Sequence, residues 1–332
     1  MSRGRALLTV AGLLMTGLAL ALAGSRVVQR ESGVPAVGDS TGIRAASSDS
    51  ARPARIPFEI DRNRTIVKVQ VADSRPLRLI LDTGMPMDGV YLFHREIEAE
   101  LKLEGAIDVM MPGAGGGEPS RGIMAESVPL AAGNVVFGRQ RVVVSHSEQT
   151  QGMGSDGIIG WSLFGHHAVE LDYDAMLITL YAPGTFAPDS PWQAIPLTLR
   201  NNIPWITASV DVLGEGPVPL ECYIDFASGD AIELLVRPGA KFPVPENLEQ
   251  RYLGTGLSGD IYGGIGRVAS LSIGSHTFHD VAAVFPPAEV RSKQQGADAV
   301  IGNQLLRRFN LVFDYGASTL WIRPNRSFGE RF

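Results

Sequence analysis

Two acids in this chain stand where an acid is costly. Asp82 ends the apolar run Leu77-Arg78-Leu79-Ile80-Leu81, and Asp225 ends Cys222-Tyr223-Ile224. A short apolar run that stops at a turn signal reads as a buried strand. A carboxylate held at the tip of such a strand must be paired or hydrogen-bonded, because an unpaired buried charge is strongly unfavourable. Gly84, in Asp82-Thr83-Gly84, lets the backbone turn tightly there. Two carboxylates about 4 Å apart repel by roughly 4 kcal/mol at an effective dielectric near 20. That repulsion equals about three pKa units, so such a pair shares one proton. The ionised member can act as base on a water and the protonated member can polarise a carbonyl. Neither a metal nor a cofactor is needed for this chemistry, and none is expected.

The elements that must position these acids occur twice. Thr65 to Val71 alternates apolar and polar like a half-buried strand, and Trp205 to Val212 alternates likewise. Ile56-Pro57-Phe58-Glu59-Ile60 is echoed by Ile195-Pro196-Leu197-Thr198-Leu199. Asp156-Gly157-Ile158-Ile159-Gly160-Trp161-Ser162-Leu163-Phe164 aligns without a gap on Asp298 to Leu306, and Asp172-Tyr173 on Asp314-Tyr315. The acids are offset by 143 residues and the Ile-Gly segments by 142, a spacing that marks a duplication. The sequence thus predicts an all-β body of two homologous lobes with short helices, over 55–187 and 188–332, joined by the proline-punctuated Pro183 to Pro191. One short amphipathic helix is expected at His94 to Leu103, with Ile97, Leu101 and Leu103 facing inward.

The segments LRLILDTG, IIGWSLF, CYIDFASG and VIGNQLL together resemble the aspartic protease superfamily, in particular the retroviral-protease-like aspartyl proteases found in exported bacterial proteins. The resemblance spans 55–325 and implies two acid-protease-like β-barrel lobes meeting pseudo-symmetrically, as in pepsin-like architecture, with the active site in the cleft between them. It implies Asp82 and Asp225 as the catalytic dyad and Thr83 and Gly84 as supports of the first loop. A glycine-containing hairpin serves as a flap over the substrate in that family. The candidates here are Gly113 to Gly117, centred on Gly115, and its counterpart Gly254 to Gly266, which contains Tyr262. The second loop departs from the pattern: it reads Asp225-Phe226-Ala227-Ser228-Gly229. In the family, threonines lock the two loops together by hydrogen bonds, which Phe226 cannot make. Ser228 is the residue that could orient Asp225 instead.

Composition narrows the partners. The net charge of −6 is spread without a basic stripe, which argues against nucleic acid. A single cysteine, Cys222, excludes an intramolecular disulfide framework. His166-His167 reads as a surface turn rather than a metal site, and Gly160 to Gly165 is one residue too long for a Gly-x-Ser-x-Gly elbow. Arg3 and Arg5 precede an uncharged stretch from Ala6 to Gly24 that closes on Ala21-Leu22-Ala23. Residues 1–24 are therefore expected to be a signal peptide or a membrane anchor, placing the body in the periplasm or outside the cell. Residues 25–54 lack periodicity and read as a flexible linker. The expected activity is endopeptidase cleavage of a peptide or protein substrate by a monomer whose lobes pair within one chain. The alternatives are a catalytically silent module that binds peptides or proteins, and a dimer in which two Asp82 loops form one site.

Overall fold

A computed structural model describes residues 44–45, 53–189, 191–291 and 296–332. The expected signal or anchor segment and nearly all of the expected linker lie outside these residues. Within the linker, β1 (Arg44–Ala45) pairs with Val135 and Val136. The first half continues with β2 (Ala54–Asp61), β3 (Arg64–Val71), β4 (Leu77–Leu81), β5 (Val90–Leu92), α1 (Ile97–Leu101), β6 (Ile107–Met111), β7 (Ser120–Ala132) and β8 (Val135–Ser145). It closes with α2 (Glu148–Gln151), β9 (Gly157–Ile159), α3 (Trp161–Phe164), β10 (Ala168–Asp172) and β11 (Leu177–Tyr181). The second half repeats this plan in β12 (Gln193–Pro196), β13 (Thr198–Arg200), β14 (Ile203–Asp211), β15 (Val218–Asp225), β16 (Ile232–Leu234), β17 (Glu249–Gly256), β18 (Gly259–Ile273) and β19 (His276–Phe285). A 3-10 turn at Ala288–Arg291 follows, then β20 (Ala299–Gly302), α4 (Asn303–Leu306), β21 (Phe309–Asp314) and β22 (Thr319–Pro324).

Strand alternation puts two cores on the two faces of one strand. In β3, Val67, Val69 and Val71 enter the main core, while Ile66 points to a separate cluster with Ile80, Met85, Tyr91, Phe93 and Ile158. In the second half Ile203, Trp205, Tyr223 and Val300 form the corresponding cluster. Each half curls into a barrel because one bent strand pairs on both ends: β3 bonds β2, β4 and β7, and β14 bonds β13, β15 and β18. That closure leaves few open sheet edges. The expected helix is shorter than its sequence pattern, but its buried residues are Ile97 and Leu101 as the spacing requires.

The halves are fused through a sheet belonging to both, in the order β12-β22-β21-β10-β11-β2. At its centre β10 and β21 run antiparallel, and Glu170 faces Val312, its own counterpart 142 residues on. The pseudo-two-fold axis passes through that pair. The chain has a two-lobed, barrel-containing all-β fold.

The acid-tipped strands are fixed by the Ile-Gly strands. β4 lies parallel to β9, with Leu81 opposite Ile159, and β15 lies parallel to β20, with Asp225 opposite Gly302. Each acid strand is also held upstream of its acid. Asp156 accepts a hydrogen bond from the Arg78 backbone N–H at 2.7 Å, and Asp298 accepts one from Glu221 N–H at 3.0 Å. Both donors stand four residues before the acid of their strand. Asp156 is paired with Arg75 at 2.6 Å; Asp298, only 1% exposed, is paired with Arg237 at 2.7 Å and Lys241 at 2.6 Å. Deleting a buried carboxylate orphans its donors, at about 1–3 kcal/mol for each unsatisfied group. Asp298→Ala should therefore lower the urea-unfolding free energy by about 2–3 kcal/mol. Asp156→Ala, whose Arg75 partner is half exposed, should cost about half as much. Equal losses would contradict this ordering.

Candidate active site

The two acid loops meet inside one chain. A Cβ placed on Gly84 would lie 3.0 Å from Asp82 Oδ1 and 3.8 Å from Asp225 Oδ1, so both carboxylates surround one point. Asp82 is 9% exposed and Asp225 5%. Backbone geometry orients both in the same way: Gly84 N–H donates to Asp82 Oδ1 at 2.7 Å, and Ala227 N–H donates to Asp225 Oδ1 at 2.9 Å. Ala227 thus does for the second loop what Gly84 does for the first. The role expected of Ser228 falls elsewhere, because its hydroxyl donates to Glu233 Oε1 at 2.7 Å. Its backbone N–H donates to the Asp225 carbonyl at 3.2 Å and also favours the charged form of the Asp225 carboxyl.

Half of the interloop lock is present. Thr83 Oγ1 donates to the Ile224 carbonyl at 2.7 Å and accepts from Phe226 N–H at 3.3 Å. The other half is replaced by packing. Phe226 is fully buried, stacked on Phe164 at 6.2 Å and edge-on to Phe313 at 5.5 Å. The turns of each lobe reach the acid loop of the other: Asn63 Nδ2 donates to the Gly229 carbonyl at 3.2 Å, and Asn202 Nδ2 donates to the Pro86 carbonyl at 3.0 Å. Those carbonyls each lie four residues past their acid. Asn303 extends the seam, donating to the Asn63 carbonyl at 2.6 Å and accepting from Tyr173 at 2.7 Å.

Two charged residues that sequence reasoning missed complete the site. Arg291 donates from Nη1 to Asp225 Oδ2 at 3.2 Å, and to Glu233 at 2.6 Å from Nη2 and 3.1 Å from Nε. All three side chains are nearly buried. Glu233 had left a signal, an acid inside the apolar run Ala231-Ile232-Glu233-Leu234-Leu235, where a charge demands a partner. Arg291 had none. Burial pushes the Asp82 carboxyl up to about 8, with the Asp225 charge adding to the rise and Gly84 N–H and Arg291 opposing it. Burial also raises Asp225, against the pull of Arg291. Asp230, half-buried near Glu233, is raised to about 6 by desolvation and the Glu233 charge.

The acids form the floor of a cavity of about 1010 Å³. Ile66, Ile80, Met85, Tyr91, Phe93, Met111 and Ile158 line its first-lobe wall; Ile203, Leu257 and Ile261 belong to the second lobe; Asp61, Arg62, Arg64 and Asp230 also line it. A hairpin from each lobe forms the roof, and the tips meet. Ser258 N–H donates to the Ala114 carbonyl at 2.8 Å, and Gly117 N–H donates to the Ser258 carbonyl at 2.6 Å. Gly115, at φ +123°, has no room for a side chain: a Cβ would fall 2.5 Å from the Gly259 carbonyl oxygen. Its N–H donates to the Val290 carbonyl at 3.0 Å, beside Arg291. Tyr262 lies on the second hairpin but not in the cavity; it is 58% exposed and packs edge-on to Tyr252 at 5.7 Å. His166 sits away from the floor, paired with Asp88 at 2.7 Å.

No protein-family model and no curated protein sequence matches the chain. Among solved structures, the crystal structure of an aspartic proteinase from Irpex lacteus superposes with a TM-score of 0.51 at 15% identity, covering 84% of this chain and 99% of that one. The fold is that of an aspartic proteinase. At this identity the likeness establishes the architecture, and the site stands on its own geometry.

Two outcomes follow from these contacts. Phe226→Thr brings the second loop closer to the Asp-Thr-Gly pattern of the first yet empties an aromatic slot, so it should destabilise the chain by about 3–5 kcal/mol, the range for truncating a buried aromatic. A gain in the urea midpoint would show that the missing hydrogen bonds outweigh the packing. The second concerns pH. The folded chain keeps the Asp82 proton up to about pH 8, whereas an unfolded aspartate releases it near pH 4. The folded state binds more protons between those values, so this group makes stability fall as pH rises through that window. Asp82→Asn should raise stability at pH 8 by at least about 1.4 kcal/mol, one pKa unit, with a much smaller difference at pH 4. An equal effect at both pH values would contradict the raised Asp82 carboxyl.

Proposed function

We propose that the chain is an exported aspartic endopeptidase of the retroviral-protease-like type, with residues 1–24 as its signal or anchor and a single chain supplying both acids. The observation that carries this reading is the convergence of Asp82 and Asp225 on one buried point under a two-sided roof. In the cleavage step, the ionised carboxylate takes a proton from water as the water oxygen bonds to the peptide carbonyl carbon. The protonated carboxyl gives its proton to the carbonyl oxygen. When the tetrahedral diol collapses, the first acid passes its proton to the departing nitrogen and the second recovers one from the diol. Charge is conserved, and the pair returns to its single-proton state. The apolar wall favours a peptide with apolar side chains beside the bond that breaks.

A second reading, a silent peptide-binding module, is favoured by one observation: Phe226 removes half of the interloop lock, and positioning errors of about 1 Å can cost on the order of 100-fold in rate. A library of unstructured peptides, assayed from pH 3 to pH 8, separates the two. The endopeptidase reading predicts cleavage that falls about 10²–10⁴-fold in Asp82→Asn and in Asp225→Asn, the range for loss of a general acid or base. Binding without cleavage, or cleavage unchanged in both variants, would overturn it.

A further inference from the structure

The two halves of the floor are chemically unlike. β5 and β16 are counterparts, since Val90 opposes Ile159 and Ile232 opposes Ile301. Tyr91 and Glu233 therefore occupy equivalent positions. On the Asp82 side, Tyr91 belongs to an apolar cluster with Ile80, Met85 and Ile158. On the Asp225 side, Glu233 holds Arg291, whose remaining Nη1 reaches Asp225. Ser228 Oγ fixes Glu233 from behind. The turn that carries Arg291 is pinned at both ends of its approach, by Ala288 N–H donating to the Val236 carbonyl at 2.9 Å and by the Gly115–Val290 hydrogen bond from the roof.

We propose that Arg291 is a positioning residue that assigns the two roles in the dyad, holding the negative charge on Asp225 as the base and leaving the proton on Asp82 as the acid. The assignment rests on reading the pair as a proton-sharing dyad. The charged and titratable groups facing Asp225 are Arg291, Glu233, Asp82 and Tyr223; Asp230 and Arg64 face the same cluster from the second acid loop and from β3. Burial keeps the Tyr223 hydroxyl far above its usual range, so it contributes no charge. Arg291 is the only cation among the described residues within hydrogen-bond distance of either acid. An apolar wall disfavours charge on Asp82, whereas Arg291 contacts Asp225 directly; its guanidinium also pulls on Asp82 and Glu233 offsets part of its pull on Asp225, so the contact decides which acid it favours more. A symmetric pair would exchange roles; this one is fixed before substrate arrives.

The test is a titration of the two carboxyl carbons by NMR on ¹³C-aspartate-labelled protein from pH 3 to pH 9, with Asp82→Asn and Asp225→Asn assigning the signals. Asp225 should lose its proton first and Asp82 last. Arg291→Met alone leaves Glu233 buried without its partner and risks the fold, so Arg291→Met is compared with its parent in a Glu233→Gln background, which holds no orphaned carboxylate. There the Asp225 titration should move up by about one pH unit, a tenfold change in proton affinity. Arg291→Lys in the same background should return it most of the way. In the peptide assay the acid limb of the pH–rate profile should follow the same shift, with KM little changed. An Asp225 titration unmoved in the folded double variant would overturn the assignment, as would Asp82 deprotonating first in the parent protein. Absence of cleavage by the parent protein would count against the endopeptidase reading, while the titration order would still decide the role of Arg291.

Discussion

The constraint on which the rest of this structure depends is the mutual repulsion of two carboxyl groups buried around one point. Left to itself that repulsion would push the acid loops apart and draw water between them. Each loop is therefore held by several independent restraints. A parallel Ile-Gly strand lies beside it, a second aspartate holds its strand four residues upstream, and a turn asparagine from the opposite lobe caps its far side. Thr83 crosses the seam to join the loops directly. These restraints occur in pairs related by the pseudo-two-fold axis, so most of the scaffold is symmetric.

The departures from symmetry gather at the chemistry. Where Thr83 makes hydrogen bonds, Phe226 packs against Phe164 and Phe313; where Tyr91 is uncharged, Glu233 is charged and carries Arg291. An aromatic slot holds a loop by packing rather than by hydrogen bonds and leaves its backbone donors to find partners alone, and here Ala227 N–H finds the carboxylate. The atypical second loop is thus compatible with an oriented acid. A duplicated scaffold can keep its geometry while each copy changes the electrostatic setting of its acid.

How much of this could be read from the chain follows from what a sequence encodes. Alternation and abrupt stops encode which faces are buried, so β3, β4, β14 and β15 were visible in outline, and the gapless match of Asp156 with Asp298 paired the Ile-Gly strands. The position of an acid at a strand tip was visible for the same reason. Which distant residue meets it was not. Arg291 lies on a one-turn segment with no periodicity, 66 residues from Asp225, and nothing local marks it. The spacing of Ser228 to Asp225 does not reveal that Glu233, from the next strand, takes its hydroxyl. Tyr262 stands on the hairpin its sequence position indicates, but a strand pattern rich in glycine does not specify which face turns inward, and its ring is exposed.

The central claim is that Asp82 and Asp225 hold one proton between them near neutral pH, and counting that proton is its most direct test. Potentiometric titration of the folded protein can be compared with that of Asp82→Asn/Asp225→Asn, both measured at about pH 6, between the ordinary aspartate value and the raised one. A shared-proton dyad predicts that the parent carries one proton more at this pair than the variant does. No difference would mean two separate ionised carboxylates, and a difference of two would mean a site without a base; either result would contradict the dyad.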